Sequence, residues 1–197
     1  MPRIVAVVSL TLDGVMQAPG RPDEDTRGGF PHGGWAQPYT DEVMAKTMGE
    51  RMARAAGGVL LLGRRTYQDL YGYWPMQPPN PYTDSLNKAE KHVVSSTLTE
   101  PLPWQNSTLV AGDVPEAVAK LKATTDIGVL GSGELCRTLM AHDLIDEYVL
   151  LIHPLVLGTG TRLFPAGAAV ADLELADSVT TTTGVVIASY RVRGGTR

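Results

Sequence analysis

The sequence predicts an α/β fold of three layers, in which helices cover both faces of a mixed, mostly parallel sheet that ends in an antiparallel hairpin. Short apolar runs at residues 4–10, 59–62, 127–130 and 148–152 alternate with capped or amphipathic helical stretches, as repeated strand–helix–strand units require. Two β-branched runs at residues 173–182 and 185–192 flank Gly184 with no helix between them, which reads as a hairpin closing the sheet edge. Neither an internal repeat nor a linker divides the 197 residues, so one domain over 1–197 is expected. A chain of this size buries roughly 70% of its unfolded surface.

Hydrophobic residues make up 43% and charged residues 19%, an ordinary globular composition. A net charge of −4 offers no general attraction for nucleic acid or for an anionic membrane, so any phosphate site has to be built locally. Cys136 is the single cysteine, which excludes an intrachain disulfide and the common zinc motifs and fits a reducing compartment. Residues 1–3 are followed by only six mostly apolar residues, short of a signal peptide. A cytoplasmic protein that contacts no membrane is therefore expected.

In chain order, the run at 4–10 stops at Asp13-Gly14 and reads as a buried central strand with a turn after it. Residues 17–38 are rich in Gly, Pro and charge without periodicity, and read either as a binding lid or as a passive loop. Thr40 can cap a helix whose Met44, Met48, Met52 and Ala55 repeat along one face, a stripe read as core. Gly57-Gly58 ends that helix and 59–62 follows as a strand. The Pro-rich stretch 74–82 reads as loop, 92–95 and 109–111 as short strands. Asp113 and Glu116 mark the start of a helix to about Lys122, and a helix over 133–142 follows the strand at 127–130.

The strongest chemical signal is Gly63-Arg64-Arg65-Thr66-Tyr67, placed where a buried strand gives way to a helix. A helix start offers free N–H groups and the positive end of a dipole, and two guanidiniums can pair with phosphate oxygens. The alternative is a solvated basic turn. A second junction, Gly131-Ser132-Gly133-Glu134-Leu135, has two glycines that let backbone approach a ligand. It falls short of the full dinucleotide fingerprint, because Cys136 stands where a third glycine belongs and His153 where an acidic ribose ligand belongs, so taken alone it reads equally as a plain structural turn. Two such turns on one sheet are more informative together, since open α/β sheets bind ligands at the carboxyl ends of their strands.

These residues carry a family resemblance. The chain resembles the dihydrofolate reductase-like superfamily, specifically stand-alone relatives of the reductase domain, the RibD C-terminal domain, of bifunctional riboflavin biosynthesis proteins. Its landmarks are Ser9-Leu10-Thr11-Leu12-Asp13-Gly14, Leu62-Gly63-Arg64-Arg65-Thr66-Tyr67, Trp74-Pro75, Val94-Ser95-Ser96, Gly131-Ser132-Gly133 and the run from Pro154 to Pro165. The resemblance implies NADPH bound across the sheet. Gly63, Arg64, Arg65 and Thr66 would hold the 2′-phosphate and pyrophosphate. Ser95 and Ser96 would hold the phosphorylated adenosine ribose, and Gly131, Ser132, Gly133, Glu134 and Leu135 the pyrophosphate. Val8, Leu12 and Gly14 would flank the nicotinamide. It also implies a homodimer through the C-terminal hairpin edge.

Hydride transfer to a C=N or C=O bond needs a proton donor as well as close approach of the reacting carbons. Where dihydrofolate reductases place a carboxylate in the first helix this chain has Thr47, with Glu50 nearby. Glu50 and Asp13, the latter beside the expected nicotinamide, are the candidate catalytic acids. Asp13 reads equally as a turn-forming residue, and His153 either as a further proton donor or as a hydrogen-bonded structural histidine. Trp35, Tyr39, Trp74 and Phe164 could stack on a flat heterocycle or simply pack. The expected activity is NADPH-dependent reduction of a small pteridine-like or pyrimidine-like substrate. The rival readings are a non-catalytic NADPH-binding sensor and a reductase of the riboflavin-pathway ribosylaminopyrimidine. A hydrolase is disfavoured, as there is no G-x-S-x-G elbow.

Overall fold

Strands made of apolar runs without polar alternation need cover on both faces, and here they build the middle of one sheet. The computed structural model describes residues 1–55, 57–168 and 170–193. Its strands are β1 (Ile4–Thr11), β2 (Val59–Gly63), β3 (Lys91–Val94), β4 (Ser107–Val110), β5 (Ile127–Leu130), β6 (Glu147–His153), β7 (Leu173–Thr180) and β8 (Val186–Val192). They lie in the order β4-β3-β2-β5-β1-β6-β8-β7. From β4 to β6 neighbours run parallel, and β8 is antiparallel to both β6 and β7. The three-layer mixed sheet with its C-terminal hairpin is the one expected.

The helices are α1 (Glu42–Arg54), α2 (Arg64–Tyr73), α3 (Pro81–Lys88), α4 (Val114–Lys122) and α5 (Gly133–Ala141). Alternation along β1 sorts them into layers. Ile4, Ala6, Val8 and Leu10 share a core with Val118 of α4 and with Leu135 and Leu139 of α5. Val5 and Val7 point the other way, toward Met44 and Met48 of α1. On that same side Leu62 and Val93 pack with Tyr67 of α2 and Leu86 of α3.

Several local expectations change. Asp41, not Thr40, caps α1, its Oδ1 accepting from the Met44 N–H at 2.8 Å. The methionine stripe is only a partial core: Met44 and Met48 are half-buried against the sheet, while Ala55 is the exposed C-cap. The Pro-rich stretch is not all loop, because Asn80 caps α3 by accepting from the N–H groups of Tyr82 and Thr83, both at 3.0 Å, with Pro81 in the first turn. That Asn-Pro pair is a helix-start signal masked by the prolines before it. The hairpin turn closes with Thr181 N–H on Val185 O at 2.8 Å, and Gly184 takes φ +84° there.

Because six strands run parallel, the turns after β1, β2, β3, β5 and β6 collect along one edge. That edge is where ligands of open α/β sheets bind.

Candidate functional site at the carboxyl edge of the sheet

The two glycine turns are braced to each other. The Ser132 hydroxyl accepts from Gly63 N–H at 3.0 Å and donates to Leu130 O at 2.8 Å, while Ser132 N–H donates to Thr66 Oγ1 at 3.2 Å. Ser132 stands at φ +50°, ψ +50° and Gly131 at φ +53°, the tight left-handed path this brace requires. Gly63, Thr66 and Ser132 therefore hold the turns in register, and the N–H groups of Gly63 and Ser132 already have partners.

What faces outward is a different set. In α5 the first in-helix bond is Cys136 N–H to Ser132 O at 2.9 Å, so the N–H groups of Gly133, Glu134 and Leu135 precede it as the free first-turn donors. Arg64 makes a long 3.4 Å contact to the neutral Gln68 Oε1, which leaves its charge uncompensated by that contact. Arg65 Nη1 pairs with Glu134 Oε1 at 2.9 Å. Burial works to raise the Glu134 carboxyl, and hydrogen bonding and charge from Arg65, joined by Arg27, outweigh it and hold it below its ordinary value. Of Glu134, only the backbone N–H suits a phosphate; its side chain is itself an anion.

After β3, the Ser95 hydroxyl accepts from Thr97 N–H at 3.1 Å and Leu98 N–H at 3.0 Å, so it shapes the turn. Ser96 beside it is exposed. After β1, Leu12 is 65% exposed and Gly14 takes φ +78° with nothing within 4 Å of where a Cβ would stand, so both can border a ligand. Val8 cannot do so with its side chain, which is buried in the α4/α5 core.

Neither expected acid is poised to give a proton. Asp13 accepts from Thr11 Oγ1 at 2.6 Å, Gly158 N–H at 2.9 Å and Leu157 N–H at 3.2 Å, with Arg162 Nη2 3.6 Å away. The Thr11 hydrogen bond leads in pushing its pKa down to about 2, against burial and with help from the two N–H groups. Asp13 is a carboxylate that ties the turn after β6 to the turn after β1. Glu50 is exposed, eight residues along α1 from Glu42, or roughly 12 Å at the rise of an α-helix. The helix starts beside the edge, because its cap Asp41 also accepts from Thr182 Oγ1 at 2.6 Å in the hairpin turn. Glu50 thus lies well down the side of the sheet.

His153 is 1% exposed, with the rings of Trp35 and Tyr39 edge-on at 5.0 and 5.6 Å. Its Nδ1 faces the carbonyls of Leu151 at 2.9 Å and Leu10 at 3.2 Å, so Nδ1 carries the proton. Burial lowers its pKa, although the two carbonyls oppose that, and the ring is a neutral structural element. Trp35 is also buried, as packing; Trp74 lies against Tyr73 and Tyr82. Phe164, 39% exposed and edge-on to Tyr148, keeps a free face.

The 17–38 segment is an ordered strap laid over this edge. Gln17 Nε2 donates to the carbonyls of Asp25 at 3.1 Å and Arg27 at 3.0 Å, and its Oε1 accepts from Thr161 N–H at 3.0 Å. Trp35 Nε1 donates to Gln17 O at 2.7 Å. Arg21 pairs with Asp69 of α2 and lies 5.0 Å over the Tyr73 ring, and Arg27 Nη1 reaches Glu134 Oε1 at 3.4 Å. No local pattern marks Gln17 or Arg27, since their partners Thr161 and Glu134 lie 144 and 107 residues away in sequence.

Among the described residues no cluster of three or more His, Cys, Asp or Glu could hold a metal ion, and no helix is long and apolar enough to cross a membrane.

A parallel sheet extended by an antiparallel hairpin, with braced glycine–arginine turns at its carboxyl edge, defines a dihydrofolate-reductase-like α/β protein. The family model of the RibD C-terminal domain matches residues 2–187, and the chain belongs to that family. It is 32% identical over 143 residues to an uncharacterized Bacillus subtilis protein, YyaP, covering 68% of this chain and 74% of the relative. A solved structure from Shewanella sp. PV-4, provisionally assigned to riboflavin biosynthesis, superposes with a TM-score of 0.72 at 21% identity over 97% of this chain and 99% of that one. A pyrimidine reductase-like protein from Corynebacterium diphtheriae superposes at 0.68 with 14% identity, over 98% and 93% of the two chains.

Proposed function

We propose that this protein is a reductase that binds NADPH across the carboxyl edge of the sheet and reduces a small pteridine-like or pyrimidine-like heterocycle. Membership of the RibD C-terminal domain family supports a reductase, and the two structural relatives, one provisionally assigned to riboflavin biosynthesis and one pyrimidine reductase-like, point the same way. The observation that carries the reading is the donor set. Two guanidiniums, Arg64 and Arg65, and the free first-turn N–H groups of α5 sit on adjacent turns that Ser132 locks together. Fixed cationic donors beside free amides suit a ligand with more than one phosphate.

When bound, the dinucleotide supplies the hydride. Arg64, with exposed Ser96, would hold the 2′-phosphate, and the N–H groups of Gly133, Glu134 and Leu135 the pyrophosphate. Gly14 and Leu12 would border the ring, with Asp13 keeping the turn after β6 against them. Tyr39, half-buried and edge-on to His153 at the end of β6, is the aromatic ring we place against a flat substrate at this edge. Since Asp13 is ionised and Glu50 is remote, we assign neither as proton donor; the proton is supplied by solvent water. That observation also favours a second reading, an NADPH-binding protein without turnover.

Calorimetric titration at fixed salt tests the first step. NADPH should bind at least tenfold tighter than NADH, and Arg64→Ala should remove about 1.5 kcal/mol or more of that preference without changing the fold. Equal loss for both cofactors would take Arg64 off the 2′-phosphate. Steady NADPH oxidation with a pteridine or quinone would exclude the second reading.

A further inference from the structure

Glu134 is an exposed carboxylate that two arginines from different parts of the chain approach at the same oxygen. Arg65 of α2 reaches Oε1 at 2.9 Å and Arg27 of the strap reaches it at 3.4 Å. All three side chains are open to solvent, at 69% for Glu134, 48% for Arg65 and 47% for Arg27. Arg27 is aimed by Asp25, whose Oδ1 accepts from Nε at 2.8 Å and whose Oδ2 accepts from Nη2 at 2.5 Å, leaving Nη1 toward α5. Its backbone is fixed as well, through Gln17 Nε2 on Arg27 O at 3.0 Å. Close by, Met16 fills the space beside Gly133, where a Cβ would stand 2.5 Å from Met16 Sδ. The strap thus reaches the start of α5 through Arg27, and the residue just before the strap, Met16, packs on the same helix start.

A carboxylate held between two guanidiniums occupies the kind of position a phosphate oxygen takes in an arginine clamp. Such exposed pairs contribute little to folding, so this arrangement is poorly explained as a stability device. We propose that Glu134 is a built-in counter-anion. A phosphate group docking at the start of α5 displaces its carboxylate and takes Arg65 and Arg27 together, which makes Arg27 a third phosphate-binding arginine and fastens the strap over the ligand. This rests on the dinucleotide reading above and adds to it a residue and a coupling: the strap is held by an internal anion when the site is free and by the ligand's own anion when it is filled.

The test uses the full chain and two readouts. By calorimetry with NADPH, and with inorganic pyrophosphate as a second probe, Arg27→Ala should weaken binding roughly tenfold and Glu134→Gln should tighten it severalfold, by removing the competing charge. The second readout needs no turnover. Within 17–38 the residues trypsin could cut after are Arg21, which precedes Pro22 and so resists it, and Arg27, whose bond to the exposed Gly28 is open to it. Glu134→Gln should be cut at Arg27 faster than the parent when free, and NADPH should protect both. NADPH binding that neither substitution alters, or cleavage at Arg27 that NADPH leaves unchanged, would overturn the clamp and leave the cofactor reading standing. Failure of the unaltered protein to bind either probe would overturn both.

Discussion

Asp13 shows how acceptors decide what a carboxyl group does. An acid poised for proton transfer needs an environment that destabilises its charge, and Asp13 has the reverse: a hydroxyl and two N–H groups aimed at its oxygens. The folded form lowers its pKa from 3.8 to about 2, so the stability it contributes is present in full above the ordinary carboxylate value and is lost as pH falls through about 2. Asp13→Asn should therefore cost about 1–2 kcal/mol at neutral pH, through weaker bonds to the Leu157 and Gly158 amides, and should flatten the acid end of the stability curve. Denaturant melts at pH 7 and pH 3 check this. Full stability together with lost turnover would instead restore Asp13 as the proton donor.

The unit that matters among the elements is the pair of strand-to-helix junctions, β2 into α2 and β5 into α5. Ser132→Ala removes the oxygen that Gly63 N–H and Leu130 O share and leaves a half-buried donor without its partner. A loss of about 1–2 kcal/mol is expected in chemical denaturation. NADPH affinity should fall as well, although in this structure the hydroxyl is committed to the brace; unchanged affinity would mean the brace does not position the phosphate donors. Both junctions were legible in the sequence as strand-to-helix turns, because a buried strand announces itself by an apolar run and glycine marks the tight turn after it. What distinguished bracing residues from binding ones was not legible, since it depends on a contact between Gly63 and Ser132, 69 residues apart. The helix α3 was hidden for a local reason, prolines read as loop, and the strap for a distant one, its anchors on Thr161, Asp69 and Glu134.

Across the whole molecule the layers stop short of the last strand. β5 and β1 are sealed between helices, whereas β7 is open along residues 174–178, with Leu175 53% exposed and nearby Val170 79% exposed. A strand uncovered on both faces, with one unpaired edge, is a place where another chain can add. The edge also carries features that discourage indiscriminate pairing, namely a register shift between Leu175 and Asp177 and the charges of Glu174 and Asp177. We propose that a second copy of this chain covers β7, the two hairpins meeting about a two-fold axis, because an isologous contact pairs each shifted edge with its own complement. Sedimentation velocity at tens of micromolar should then show a dimer. Leu175→Lys should dissociate it while leaving the circular dichroism spectrum and NADPH affinity unchanged, since the turns proposed to hold the cofactor lie across β6 and β1 from the hairpin. A monomer for the unaltered protein would mean that the shift and the two carboxylates serve to keep the edge unpaired.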